Sequence, residues 1–172
     1  MTQTEVYSGH FFDFANPRPE DIRIEDIAHA LSMMCRFNGH TEHFYSVAEH
    51  SYITAIACPD EYKLWGLLHD AAEAYIGDMN APLKKMVEGT YKEVERDVEQ
   101  CIVEKFGLSP DTMPEEVHEA DMEVLSMEKE QVIQSDHEWE ATKGIRTPAY
   151  LPYFWVPRKA KRKFLERFKV LS

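Results

Sequence analysis

The stretch that decides the fold is LWGLLHDAAEAYIGDM, residues 64–79. It begins as an apolar run, then places His69 and Asp70 side by side and follows them with the acids Glu73 and Asp78. We expect a segment with so many apolar residues to be buried on most sides. Burying an imidazole and a carboxylate without partners costs free energy. Such groups are buried when they are paired, hydrogen-bonded or bound to a metal ion. The stretch therefore predicts a core helix whose polar side chains are paired, hydrogen-bonded or bound to a metal ion.

Length and composition predict one globular domain spanning residues 1–172. The chain has a net charge of −12, so it has no general field that attracts DNA or RNA, and we expect no nucleic-acid partner. Its three cysteines are scattered, which is typical of free thiols in a reducing cytosol. We find neither a secretory signal at the N-terminus nor an apolar run of about 20 residues. We therefore expect a cytoplasmic protein that does not bind membranes.

Hydrophobic periodicity predicts helices over residues 23–37, 41–57 and 60–77. Two further helices are predicted to begin at capping boxes, TYKE at 90–93 and TMPE at 112–115. The tail RKAKRKFLERFK, 158–169, predicts a basic amphipathic helix whose apolar stripe packs on the body or on a second subunit. Since strand signals are nearly absent, we expect an all-α bundle of about six to seven helices. Its core covers about 24–135, followed by an irregular segment and the C-terminal helix.

Two further residues are candidate metal ligands beside the His69–Asp70 pair. Asp121 lies on the apolar stripe of its predicted helix, and His50 lies at the edge of the apolar face of another. Taken singly, Asp121 could be a hydrogen-bonded core acid and His50 a partly exposed helix residue. Together, the four residues form a mixed nitrogen–oxygen set that suits one divalent Mn²⁺, Co²⁺, Zn²⁺, Ni²⁺ or Fe²⁺ ion.

The order of these residues resembles the signature of the HD-domain phosphohydrolases, which are all-α and metal-dependent. The motifs that carry the resemblance are VAEHS at 47–51 and LLHDAAEAYIGDMNAPLKK at 67–85. They are most similar to the small branch of bacterial 5′-deoxynucleotidases and related phage and prophage proteins. The resemblance implies that His50, His69, Asp70 and Asp121 are the metal ligands. Binuclear members have additional histidines between the pair and the last aspartate, and here only His118 lies there, so one ion is expected.

The resemblance also implies roles for five other residues. Glu73 matches the catalytic acid, and Asp78 the residue that helps to distinguish deoxyribose from ribose. Arg36 and Lys84 match phosphate contacts, and Phe37 matches an aromatic that contacts the base. Each has a simpler alternative: Glu73 and Asp78 as solvated acids, Arg36 as a helix-terminal cation, Phe37 as a core residue and Lys84 as a surface lysine. We expect His40, His43 and His118 to lie on the surface.

The predicted function is hydrolysis of deoxyribonucleoside 5′-monophosphates to deoxynucleoside and phosphate, with a small deoxynucleotide as substrate. Two alternatives remain open. Phage relatives with this architecture hydrolyse deoxynucleoside triphosphates such as dATP and release triphosphate. A nucleotide-binding regulatory module without turnover would keep the ligands but has no need of Glu73. The relatives assemble as dimers or larger rings, which implies a homo-oligomer.

Overall fold

The computed structural model describes residues 2–87 and 89–172, and α-helices make up most of it. These are α1 (Ile24–Met33), α2 (Val47–Ala57), α3 (Lys63–Leu68), α4 (Glu73–Ile76), α5 (Ala81–Met86), α6 (Thr90–Phe106), α7 (Glu115–Gln131) and α8 (Pro157–Leu171). Short 3-10 turns lie at Pro19–Asp21, Arg36–Gly39, Asp60–Tyr62 and Glu140–Thr142. The predicted all-α class is therefore confirmed in its coarse form.

A small antiparallel hairpin precedes the helices. Strand β1 (Gln3–Glu5) pairs with β2 (Phe11–Asp13), and Thr4 lies opposite Phe12. Phe12 is fully buried, and its ring lies 4.4 Å from that of Tyr75 in α4. The hairpin therefore covers one side of the helical core.

Helix α2 lies at the centre of the bundle, in contact with α1, α3, α7 and α8. Most of its residues are buried on all sides, including the polar Glu49 and His50. Helix α8 packs through Ala160 and Phe164, which are buried against α1 and α2. The predicted packing of the basic tail on the body is thus confirmed.

The first two helices are shorter than predicted. Helix α1 ends at Met33 instead of continuing to Phe37, because Met34 is extended and Cys35 forms a bridge with Ser46. Helix α2 begins at Val47 instead of Thr41, because the Ser46 hydroxyl accepts a hydrogen bond from the Glu49 N–H and caps the helix there. The chain between α1 and α2 thus folds back so that the backbones of Cys35 and Ser46 pair, which helical spacing does not reveal.

Neither predicted capping box forms. Helix α6 begins after Gly89, whose φ of 99° suits glycine, so Thr90 is already inside the helix. Helix α7 begins after Pro114, which has no side-chain acceptor to offer the first turn. The helices themselves are present as predicted, because their burial and not their caps determines where they form.

The cysteines are all free thiols: Cys58 and Cys101 are buried, whereas Cys35 is only partly buried. In residues 2–87 and 89–172, no helix combines the length and apolarity that a bilayer crossing requires.

Candidate functional site

The His69–Asp70 pair lies at a tightened helical turn, not within a continuous helix. Helix α3 ends at Leu68 and α4 begins at Glu73. Between them, Ala71 N–H donates to Leu68 O at 2.9 Å and Glu73 N–H to Asp70 O at 3.0 Å, which are i to i−3 bonds. The predicted single helix over 60–77 is therefore wrong. A short 3-10 stretch within a helix often marks a functional hinge or a strained segment.

The structure brings together all four predicted ligands. His50 Nε2 lies 3.2 Å from His69 Nε2 and 3.1 Å from Asp121 Oδ1. Asp70 approaches both imidazoles, at 3.4 Å from His50 Nε2 and 3.3 Å from His69 Nε2. Three of the residues, His50, His69 and Asp121, offer donor atoms that all lie within 4.8 Å of one another, a group that could hold a metal ion.

Hydrogen bonds at the far side of each ring determine where the imidazole lone pairs point. His69 Nδ1 donates to Gly66 O at 2.8 Å, since a carbonyl oxygen can only accept. His50 Nδ1 lies 2.6 Å from Glu128 Oε1, and the pKa of Glu128 is lowered by Arg36 and His50 against the effect of burial. Glu128 is therefore an ionised acceptor and His50 Nδ1 a donor. In the neutral rings, both Nε2 atoms then carry a lone pair facing the cluster.

The electrostatic environment of the cluster favours a bound positive charge. Burial and Arg36 lower the pKa of His50, but Glu128 and Asp121 outweigh them and raise it to about 10. Against the effect of burial, the two histidines hold the pKa of Asp121 well below its usual value. Two lone pairs facing each other across 3.2 Å repel unless a proton or a metal ion lies between them. Separations of 3.1–3.7 Å also fit donor atoms that share one ion through bonds of about 2.0–2.2 Å. The residues present therefore fit a divalent metal ion.

Glu73 and Asp78 lie in the same charged neighbourhood. Among the described residues, Glu73 Oε2 and Asp78 Oδ2 are buried and have no hydrogen-bond partner. Burial and the charges of Asp70 and Asp78 raise the pKa of Glu73 well above its usual value. Burial also raises the pKa of Asp78. Each residue is only half-buried, so the alternative of solvated acids stays open, and their catalytic and sugar-binding roles stay predictions.

The other three predicted substrate-contacting side chains, Arg36, Phe37 and Lys84, have different surroundings. Arg36 is engaged by two acids, with Nη2 at 3.0 Å from Glu128 Oε2 and Nη1 at 3.5 Å from Asp70 Oδ2. Phe37 packs partly buried against the second core cluster and lies edge-on to Trp139 at 6.1 Å, which favours its alternative as a core residue. Lys84 is half-buried and pairs with Glu95 at 2.6 Å.

A cavity of about 360 Å³ opens beside the cluster. His69, Asp70 and Asp121 form one part of its wall, with Lys84 and Arg96 among the other lining residues. Pockets for small molecules have volumes of about 300–1,000 Å³. The cavity is therefore large enough to admit a small ligand beside His69, Asp70 and Asp121.

Two buried acids on the helices that carry His50 and Asp121 were not predicted from the sequence. Glu128 lies seven residues after Asp121 on α7, so helical spacing could have placed it on the same face. Glu49 accepts hydrogen bonds from the backbone N–H groups of Tyr153, Phe154 and Trp155 at 2.6–2.9 Å. No sequence pattern indicates that contact. The histidines predicted to lie on the surface, His40, His43 and His118, are exposed.

The fold and this cluster define an all-α protein with a buried histidine–aspartate group that could hold a metal ion. No protein-family model matches the chain. The uncharacterized protein YfdR of Escherichia coli (strain K12) is 38% identical over 174 residues, covering 100% of this chain and 97% of YfdR. An uncharacterized protein of Rhodobacter capsulatus is 37% identical over 139 residues, covering 74% of this chain and 71% of that protein. The chain belongs to the same family as YfdR.

Proposed function

We propose that this protein is a metal-dependent phosphohydrolase of the HD-domain type, acting on deoxyribonucleoside 5′-monophosphates. The observation that carries the proposal is the convergence of His50 Nε2, His69 Nε2 and Asp121 Oδ1 within 4.8 Å of one another, with Asp70 beside both imidazoles. Imidazole and carboxylate donors suit first-row divalent ions such as Mn²⁺ and Co²⁺. When bound, such an ion would activate a water molecule and polarise a phosphate oxygen.

The chain's own residues supply binding and proton transfer. Lys84 lies on the cavity wall beside the cluster and attracts the phosphate by its charge. Burial and the neighbouring acids raise the pKa of Glu73, which favours its protonated form, and a proton on its carboxyl group can pass to the leaving alkoxide. Asp78, unpartnered at Oδ2, takes the role of contacting the sugar that the resemblance implies. The products are a deoxynucleoside and inorganic phosphate.

The test combines metal analysis with a substrate panel. Purified protein is analysed for bound metal, then loaded with Mn²⁺ or Co²⁺ and incubated with deoxy- and ribonucleoside mono- and triphosphates. Chromatography of the products should show deoxynucleoside and phosphate from the deoxy monophosphates. Release of intact triphosphate would instead identify a triphosphohydrolase, and tight nucleotide binding without product would identify a binding module. Either result would replace the proposed activity.

A further inference from the structure

We infer that Glu128, held by Arg36, is the positioning residue that orients His50 for metal binding. This inference rests on the metal site of the proposed function, but not on the substrate or the reaction. Glu128 is fully buried in α7 and uses its two oxygens on different partners. Oε1 accepts from His50 Nδ1 at 2.6 Å, and Oε2 accepts from Arg36 Nη2 at 3.0 Å.

The contact with Glu128 determines which nitrogen of His50 is free to bind an ion. A carboxylate only accepts hydrogen bonds, so the atom facing it must be Nδ1–H. In the neutral ring, the lone pair is then on Nε2, which points at His69 and Asp121. Carboxylate–histidine pairs of this kind both orient a metal-binding imidazole and make it more basic.

Arg36 stabilises the buried carboxylate of Glu128 and links it to Asp70, a second candidate ligand. An unpaired charge at a fully buried position is costly, and the guanidinium supplies the opposite charge together with a hydrogen bond. Arg36 also lies 3.5 Å from Asp70, so it joins the segment before α2, the turn after α3 and helix α7. The residues after it, Phe37 and Asn38, have positive φ values of 55° and 53°. Such a conformation persists only where surrounding contacts hold it, and it marks the Arg36 segment as one that is held in place.

This arrangement assigns Arg36 a different task from the phosphate contact that the resemblance implies. Both terminal nitrogens of the guanidinium lie within 3.5 Å of a carboxylate oxygen. We therefore place Arg36 with Glu128 as part of the support of the metal site. Lys84 lines the cavity, with its ammonium group paired to Glu95 at 2.6 Å.

The test compares Glu128→Gln with Glu119→Gln, an exposed position on the same helix. Glutamine keeps the size of the side chain, but its amide N–H₂ must face either Arg36 or His50 Nδ1–H, donor against donor. Co²⁺ affinity should fall about 10- to 100-fold in Glu128→Gln and stay unchanged in the control. The visible Co²⁺ spectrum should change, and in the Zn²⁺-loaded protein the downfield Nδ1–H resonance of His50 should shift while that of His69 stays.

A purely structural role for Glu128 predicts a different result: lower thermal stability of the metal-free variant, with Co²⁺ affinity and spectrum like the wild type. That result would overturn the inference. If Glu128→Gln does not fold, Glu128→Asp decides, because the shorter carboxylate cannot keep both partners. An intermediate loss of Co²⁺ affinity supports the inference, and unchanged affinity overturns it.

The failures of the two proposals are distinguishable. A wild-type protein that binds Co²⁺ but hydrolyses no nucleotide would refute the proposed activity and leave the role of Glu128 standing. A wild-type protein that binds no divalent ion would refute both.

Discussion

His50 and His69, nineteen residues apart in sequence, place their Nε2 atoms 3.2 Å from each other, and each ring donates its Nδ1–H in the opposite direction. Helix α2 carries one ring, and the 3-10 turn after α3 carries the other. Both rings are almost completely buried, with side-chain exposures of 0% and 4%. Two lone pairs directed at one point repel unless a proton or a metal ion lies between them, so the geometry of this pair is compatible with the proposed metal site.

Replacing His69 by alanine should therefore abolish stoichiometric metal binding, because it removes one of the two facing nitrogens. The stabilisation that added Mn²⁺ gives to the wild type should disappear as well, since an ion stabilises only the state that binds it. Metal content by elemental analysis and melting temperatures with and without Mn²⁺ are the measurements. His118→Ala, an exposed histidine on α7, is the matched control and should behave as wild type. Normal metal content in His69→Ala would exclude His69 as a ligand.

Glu73→Gln should keep metal and fold but lose most hydrolytic activity. The amide has nearly the same shape as the carboxyl group, but it cannot hold or move a proton at Oε2. General acid–base groups typically contribute about 10²- to 10⁴-fold to rate, and a loss of that size in kcat is expected. The measurement is phosphate release from deoxynucleoside monophosphates at saturating Mn²⁺. Glu93→Gln, exposed on α6, is the control. Unchanged turnover in Glu73→Gln would remove Glu73 from the mechanism.

The sequence could predict candidate ligands because most of them interrupt a local apolar pattern. Asp121 interrupts the stripe formed by Val117 and Val124, and His69 with Asp70 follows an apolar run. Such violations require partners, and the structure brings these residues together. Glu128 interrupts the same stripe two turns further along α7, so the same pattern could have predicted that it is buried with a partner.

Other features depend on contacts that local patterns do not contain. The end of α1 was missed because Met34 and Cys35 match helical spacing, although their backbone is extended and paired with Ser46 and Val47. The break after Leu68 was missed because spacings of 3.6 and 3.0 residues per turn differ little over four residues. Glu49 is bound by backbone N–H groups more than 100 residues away, which only the fold brings close.

Asp21 should contribute stability that is lost in acid. Its buried carboxylate accepts hydrogen bonds from Arg18 and lies 2.7 Å from His10 Nε2. Burial raises its pKa, but His10 and Arg18 outweigh burial and lower it below the ordinary value. A carboxyl group with a lowered folded-state pKa stabilises the fold above its unfolded pKa of about 3.9, and this stability is lost as the pH falls through the folded value.

Asp21→Asn should therefore be less stable than wild type by about 1–3 kcal/mol at neutral pH, and the difference should shrink below about pH 4. Urea unfolding across pH, with a chelator in every sample to exclude metal release, measures it. The exposed Asp136→Asn is the control. A difference that stays constant down to strongly acidic pH would show that the charge of Asp21 is not what stabilises the hairpin region.

Glu49→Gln should loosen the segment around Tyr153 and Trp155. Its two oxygens accept three backbone N–H groups, and an amide nitrogen at either position would face a donor. Because local opening exposes backbone to proteases, chymotrypsin should cleave after these aromatic residues faster than in wild type. Glu61→Gln, at an exposed position, is the control. Equal cleavage rates in Glu49→Gln and wild type would show that stacking of Tyr153 on Trp155, with ring centroids 4.6 Å apart, holds the segment without Glu49.

Gly66→Ala should destabilise the contact between α2 and α3 and weaken the metal site with it. A Cβ at Gly66 would lie 2.6 Å from Cys58 Sγ and 3.1 Å from Ala55 Cα, closer than packed atoms tolerate. Overpacking of this kind costs about 1–3 kcal/mol. Because Gly66 O also accepts the His69 Nδ1–H, a shift of α3 would move that ring, and Mn²⁺ affinity should fall together with the unfolding free energy. Adding Cys58→Ala removes the sulfur and should restore part of both losses, with Cys58→Ala alone as the control. If Gly66→Ala unfolds at the same urea concentration as wild type, the two helices have room to separate, and their close packing does not hold His69 in place.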